Sequence, residues 1–160
     1  MKKFVIALVA FFALTSQAYA AQSEVTFGGG IGALYGGIGV NIGLRTDDDL
    51  KYIAAGCPAI GHSDNSGWKL PCGIGIGWIW SGILSKTSNR HGLGFYLGPV
   101  GVNKSEGTDD DTARYGLGVT YAYFFKGINS KGWHIGITPA ISREDENTKG
   151  NLLVNGGYQF

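Results

Sequence analysis

The stretch TARYGLGVTYAYFF, residues 112–125, reads with a period of two. Tyr115, Leu117, Val119, Tyr121, Tyr123 and Phe125 fall on one side, and Arg114, Gly116, Gly118, Thr120, Ala122 and Phe124 on the other. Successive side chains of a strand point to opposite faces, so this is a strand with one bulky apolar face and one face of small or polar residues. The division recurs along the chain. Ile74, Ile76, Trp78 and Trp80 oppose Gly73, Gly75, Gly77 and Ile79. Ile38, Val40, Ile42 and Leu44 oppose Gly39, Asn41, Gly43 and Arg45, and Trp133, Ile135, Ile137 and Ile141 oppose His134, Gly136, Thr138 and Ser142.

Eight such segments follow one another: 23–33, 38–45, 50–57, 69–80, 91–103, 112–125, 132–143 and 150–160. Polar or turn-forming connections separate them, among them ThrAspAspAsp at 46–49 and LysGlyIleAsnSerLys at 126–131. Links this short make consecutive strands antiparallel neighbours, because a parallel pair needs a crossover of a dozen or more residues. The 28 glycines in 160 residues, more than double the usual share of about 7%, argue against helix. The expected fold is all-β, an eight-stranded antiparallel up-and-down barrel closed by pairing the first segment with the last.

Two barrels fit the alternation. A lipocalin-like soluble barrel points its bulky residues inward, and an outer-membrane barrel points them at lipid. Lipid is favoured on three counts. The small-residue face holds almost no Lys or Glu within the strands, although a water-exposed exterior normally carries many. Aromatics gather at strand ends on the bulky face, at Trp78, Trp80, Tyr123, Phe125, Trp133, Tyr158 and Phe160, where interfacial girdles belong. Charges concentrate in the connections. The expected fold is therefore a transmembrane β-barrel.

The first twenty residues, MKKFVIALVAFFALTSQAYA, have the layout of a secretory signal peptide cleaved after Ala20, leaving 21–160 as a single barrel domain. Removing Lys2 and Lys3 takes the formal charge from +1 to −1, so no basic excess points to nucleic acid. Cys57 and Cys72 would meet an oxidising compartment, which makes one disulfide the default. If they stand opposite one another, Ala55 faces Ile74 and Ile53 faces Ile76, which puts apolar residues on one face of both strands. The alternative is a pair of unlinked structural cysteines.

A signal peptide, eight glycine-rich amphipathic strands and a last strand ending Tyr158-Gln159-Phe160 resemble the small eight-stranded outer-membrane β-barrel proteins of Gram-negative bacteria, the OmpA/OmpX-like group. The resemblance covers the chain from residue 21 as a pattern, and its specific motif is the last few residues. It implies that Tyr158 and Phe160 belong to the signal read by the barrel assembly machinery. Asn155 departs from the pattern, standing where that group usually has glycine. The resemblance also implies a place in the bacterial outer membrane, with lipid and lipopolysaccharide as surroundings and both chain ends toward the periplasm. Connections at 34–37, 58–68, 104–111 and 144–149 would then face outward, with 46–49, 81–90 and 126–131 on the other side. Among the latter, 81–90 is long for a periplasmic turn.

Residues that could carry chemistry are few. The acidic runs 47–49, 109–111 and 144–146 match no calcium-loop spacing and read as solvated turns, so neither a metal nor a cofactor is expected. His62, His91 and His134 lack the His-x-Ser pattern of the lipid A deacylase type, since His134 is followed by Ile135 and Gly136. The expected interior polar residues are Asn41, Arg45, Arg114, His134, Asn155 and Gln159, with no catalytic residue among them. Inward glycines either make room for Tyr52, Tyr96, Phe124 and the arginines or leave a pocket. The functional expectation is a structural or surface-interaction protein without an open pore. The alternatives are a lipid- or small-ligand-handling barrel, such as a lipid A-modifying enzyme, and a soluble periplasmic barrel.

Overall fold

The structure is a computed structural model that describes residues 23–58, 61–63, 67–69, 71–103, 112–144 and 147–160. The expected signal peptide at 1–20 and the acidic run at 109–111 lie outside the described residues. The strands are β1 (Glu24–Gly32), β2 (Gly37–Arg45), β3 (Asp49–Cys57), β4 (Gly61–Ser63), β5 (Gly67–Lys69), β6 (Gly73–Ser81), β7 (His91–Asn103), β8 (Thr112–Phe124), β9 (Gly132–Glu144) and β10 (Asn147–Gln159). Eight of them close a barrel in the order β1-β10-β9-β8-β7-β6-β3-β2, every pair antiparallel, while β4 and β5 form a separate small hairpin. Chain-adjacent strands of the barrel are neighbours throughout, and β1 pairs with β10 over Gly28–Ile31 and Gly156–Gln159. This is an up-and-down barrel with no open edge between first and last strands.

Two boundaries and one register differ from the period-two expectation, each for a local reason. The segment 69–80 divides into β5 and β6 around Pro71, whose ring removes the N–H that a continuous ladder requires. The last strand starts at Asn147 rather than Gly150, because β9 and β10 pair as far as Glu144 and Asn147. Inside β7 the register shifts between Pro99 and Gly101, again where a proline has no N–H to donate.

The exterior is apolar. Val25, Phe27, Ile38, Val40, Ile42, Ile53, Ile74, Leu117, Val119, Ile135, Ile137 and Leu152 all point outward and are exposed, Leu152 to 66%. The bulky face therefore points away from the lumen. The interior is filled from two sources. Tyr52, Tyr96, Ile79, Leu50 and Phe124 enter from the strands, and Ala33, Leu34 and Tyr35 enter from the β1–β2 connection. That connection lies on the rim away from the chain ends, as expected, but it is not a loop standing clear of the barrel. Instead it forms a single 3₁₀ turn, Ala33–Tyr35, folded into the barrel with all three residues at 0% exposure. Gly32 (φ 94°) and Gly36 (φ 69°) bracket the turn in the left-handed region, which lets the chain bend inward and out again within a few residues.

Inward glycines serve as beds for tyrosine rings. A Cβ added at Gly30 would stand 2.6 Å from the Tyr35 ring, and one at Gly157 would stand 2.5 Å from it. Tyr96 occupies the space over Gly75 in the same way, where the separation would be 2.7 Å, and Tyr52 occupies the space over Gly77. Eight strands leave an interior that side chains can just fill, and three tyrosines fit there only because the strands opposite them carry no side chain.

Candidate functional site

The polar residues of the lumen form layers. Lowest, near the chain ends, Gln159 and Asn41 join their amides reciprocally. Gln159 Nε2 donates to Asn41 Oδ1 (3.0 Å) and Asn41 Nδ2 donates to Gln159 Oε1 (3.3 Å). Gln159 Nε2 also donates to Thr26 Oγ1 (3.1 Å), whose hydroxyl donates to the Phe160 carbonyl (2.6 Å). Asn41 Nδ2 reaches the Leu34 carbonyl of the inward turn at 2.9 Å. Above this, Asn155 Oδ1 accepts the Ala33 N–H (2.6 Å) while its Nδ2 donates to Thr138 Oγ1 (2.8 Å), itself paired with Thr120 Oγ1 at 2.9 Å. A buried amide whose donors and acceptors all find partners is a rigid fixture, since losing any one of them leaves an uncompensated polar atom.

Tyr35 and His134 form the third element. The rings stack with centroids 5.6 Å apart, and the Tyr35 hydroxyl lies 3.2 Å from His134 Nε2 and 3.4 Å from the Tyr158 carbonyl. The Phe124 ring also lies against the imidazole, tilted, with centroids 5.3 Å apart. His134 is fully buried, and its Nδ1 meets no partner among the described residues. Catalysis by histidine needs a nucleophile within hydrogen-bond reach and a route for substrate. On β9, Thr138 Oγ1 is bonded to Asn155 and Thr120 and Ser142 Oγ accepts from the Asn151 amide at 3.1 Å; the hydroxyl in contact with the imidazole is that of Tyr35. His91 lies on the outer face, with Nδ1 3.0 Å from the Tyr121 hydroxyl.

The two arginines expected inside stand toward opposite ends. Arg45 is buried at the rim that carries the chain ends, where Nη2 donates to Glu24 Oε2 at 2.7 Å. Arg114 lies toward the other rim, donating from Nη2 to Asn151 Oδ1 at 3.1 Å. Asn41, His134, Asn155 and Gln159 point into the lumen as well, and the inward turn brings these four together. What sequence reasoning missed is that turn. The available signal was composition: AlaLeuTyr between glycines has too much apolar surface for a solvated loop.

Cys57 and Cys72 are joined in a disulfide that closes a connection of sequence separation 15. The β3–β6 register places Ala55 opposite Ile74 and Ile53 opposite Ile76. Its loop carries the β4–β5 hairpin, in which His62 pairs with Trp68 through the backbone. On the exterior, Tyr158 packs edge-on against Phe160 (4.8 Å) and Trp133 (5.3 Å), and Phe160 stacks on Phe27 at 5.1 Å. Trp78, Trp80 and Phe95 make a second cluster, with Trp78 and Trp80 4.3 Å apart, and His91, Tyr121, Tyr123 and Phe125 a third. All three lie near the rim with the chain ends. Trp78 Nε1 also donates to Asp49 Oδ2 at 2.8 Å, and Lys51 Nζ sits 4.5 Å above its ring.

No group of three or more metal-ligating side chains occurs among the described residues. No family model, curated protein or solved structure matches the chain.

Proposed function

We propose that this chain is an integral protein of the bacterial outer membrane whose filled barrel has a structural or surface-interaction role and conducts no solute. The observation that carries this reading is the inversion of polarity: the exterior is a belt of exposed Val, Ile, Leu and Phe, and the lumen holds the amides, threonines, histidine and arginines. Water rewards the opposite arrangement. An exposed apolar area of this extent marks a surface that is covered in use, and lipid covers a barrel on all sides at once. A closed hydrogen-bonded ring also leaves no backbone edge unsatisfied in hydrocarbon.

Further support comes from the aromatic clusters at one rim, from the secretory layout of residues 1–20, and from Tyr158 and Phe160, which stand on the exterior where an assembly factor can reach them. In this reading the rim carrying the chain ends faces the periplasm, and the disulfide-braced connection faces out toward lipopolysaccharide. The burial of His134 beneath Tyr35 and Phe124 supports a packing role for it.

Cell fractionation tests the location. The protein is expected in the detergent-extracted outer-membrane fraction and to run faster on a gel before boiling than after. Recovery in the periplasmic fraction without detergent would reject the membrane reading in favour of a soluble barrel.

A further inference from the structure

The rim with the chain ends has one sector unlike the rest. The β6–β7 and β8–β9 connections, residues 82–90 and 125–131, are knit into a single cap. Ile128 N–H donates to the Asn89 carbonyl at 2.9 Å, Asn89 Nδ2 donates to Asn129 Oδ1 at 2.8 Å, and Phe124 N–H donates to the Arg90 carbonyl at 2.8 Å. Ile128 is buried beneath it, and Gly127 takes a left-handed φ of 96° with the Asn89 side chain against its α-carbon. Turns meant only to reverse a chain do not need to be fastened to each other.

The side chains this cap displays are of two kinds. Lys86, Arg90, Lys126 and Lys131 are exposed, and neither connection contains an Asp or Glu. Ile83, Leu84 and Phe125 are exposed beside them, each about half accessible or more. Of the acids of the same rim, Glu24 lies within electrostatic reach of Lys131 as well as Arg45. Glu24 is bonded to Arg45, Asp49 is bonded to Thr46 and Trp78, and Asp47 and Asp48 belong to the β2–β3 turn, with Asp48 meeting the cap across a recess shared with Lys86 and Arg90. Cations and large apolar side chains mixed on one surface, next to the aromatic clusters at His91–Phe125 and Trp78–Trp80, have the composition of an interfacial lipid-binding surface.

We propose that the 82–90/125–131 cap binds the headgroups of anionic phospholipids in the leaflet on its side of the barrel, with the four cations on the phosphates and Ile83, Leu84 and Phe125 among the upper acyl carbons. The inference rests on the outer-membrane reading and adds a lipid class and a place to it. Charge complementarity selects anionic over zwitterionic lipid. Continuity with the apolar belt selects a membrane over a soluble anion, because a free phosphate has nothing to offer the three apolar side chains.

The test uses the full-length mature protein refolded into vesicles, with brominated lipids as quenchers of the tryptophans, of which Trp78, Trp80 and Trp133 lie on the exterior near this rim. Brominated phosphatidylglycerol is expected to out-compete brominated phosphatidylcholine by about fivefold, the factor that one lysine at an anionic surface is worth. The ratio should fall toward one in the K86Q/R90Q/K126Q/K131Q variant, and in wild type as sodium chloride is raised. An R143Q/K149Q variant, altered at the opposite rim, should keep the wild-type ratio. A ratio of one in wild type, or an unchanged ratio in the fourfold variant, would overturn the proposal alone. Quenching by neither lipid would overturn the membrane reading and this one with it.

Discussion

Tyr35, from a turn between the first two strands, stacks on His134 of β9 inside the lumen, with its hydroxyl 3.2 Å from Nε2 and one edge of its ring over the paired glycines Gly30 and Gly157. A residue of the β1–β2 connection thus occupies the middle of the barrel. Replacing Tyr35 by Ala removes a fully buried aromatic ring and should cost about 3–5 kcal/mol. Tyr35→Phe keeps the ring and loses the hydroxyl bond, so about 1 kcal/mol is expected. Urea unfolding in vesicles, followed by gel mobility, measures both. Equal losses in the two variants would assign the effect to the hydrogen bond and remove the packing argument.

Gly75 and Tyr96 should be energetically coupled, because the ring occupies the space that a Cβ at Gly75 would need. Gly75→Ala alone is expected to destabilise by about 1–3 kcal/mol through overpacking. In a Tyr96→Ala background the same substitution should be close to neutral. The double-mutant cycle gives the coupling directly, and a coupling below about 0.5 kcal/mol would show that the glycine is there for another reason.

The Cys57–Cys72 bridge closes a loop of sequence separation 15. In the chain-entropy account a loop of that size is worth about 3 kcal/mol. Cys57→Ser with Cys72→Ser, or wild type under reductant, should lose about that much stability while the barrel still closes. Alkylation of the unreduced, denatured protein checks the premise: two modified thiols would contradict the bridge.

Val119 sits midway along the outward face of β8 and is 56% exposed. In a bilayer, Arg at that position should cost about 2–4 kcal/mol, the penalty for a charge near the hydrocarbon midplane of a barrel. On a water-exposed barrel the same change would fall within about 0.5 kcal/mol of wild type. The unfolding free energy of Val119→Arg in phosphatidylcholine vesicles separates the two, and an effect of the smaller size would count against lipid around this face.

Most of the fold was legible because the alternation is strong and every strand repeats it. Asn41, His134, Asn155 and Gln159 could be assigned to the lumen face from parity alone, since a strand's side chains have only two directions to take. The disulfide register was legible for a similar reason: placing Cys57 opposite Cys72 also aligned Ile53 with Ile76. The inward turn was not legible, because parity stops at Gly32 and says nothing of where a loop goes. Its direction is set by the space over Gly30 and Gly157 and by the Asn155 amide, which belong to strands at opposite ends of the chain. The cap of residues 82–90 and 125–131 was hidden likewise, since its Asn89–Asn129 contact joins two connections that each look like an ordinary turn.

The seam between β1 and β10 pairs residues from the two ends of the chain, over Gly28–Ile31, and the ladder is extended upward by the Asn155 side chain, which takes the Ala33 N–H in place of a backbone carbonyl. Closing contacts of such sequence separation costs the loop entropy of the whole intervening chain. One amide, Asn155, thus fastens the inward turn to the closing strand, so that the plug and the seam share a single fixture.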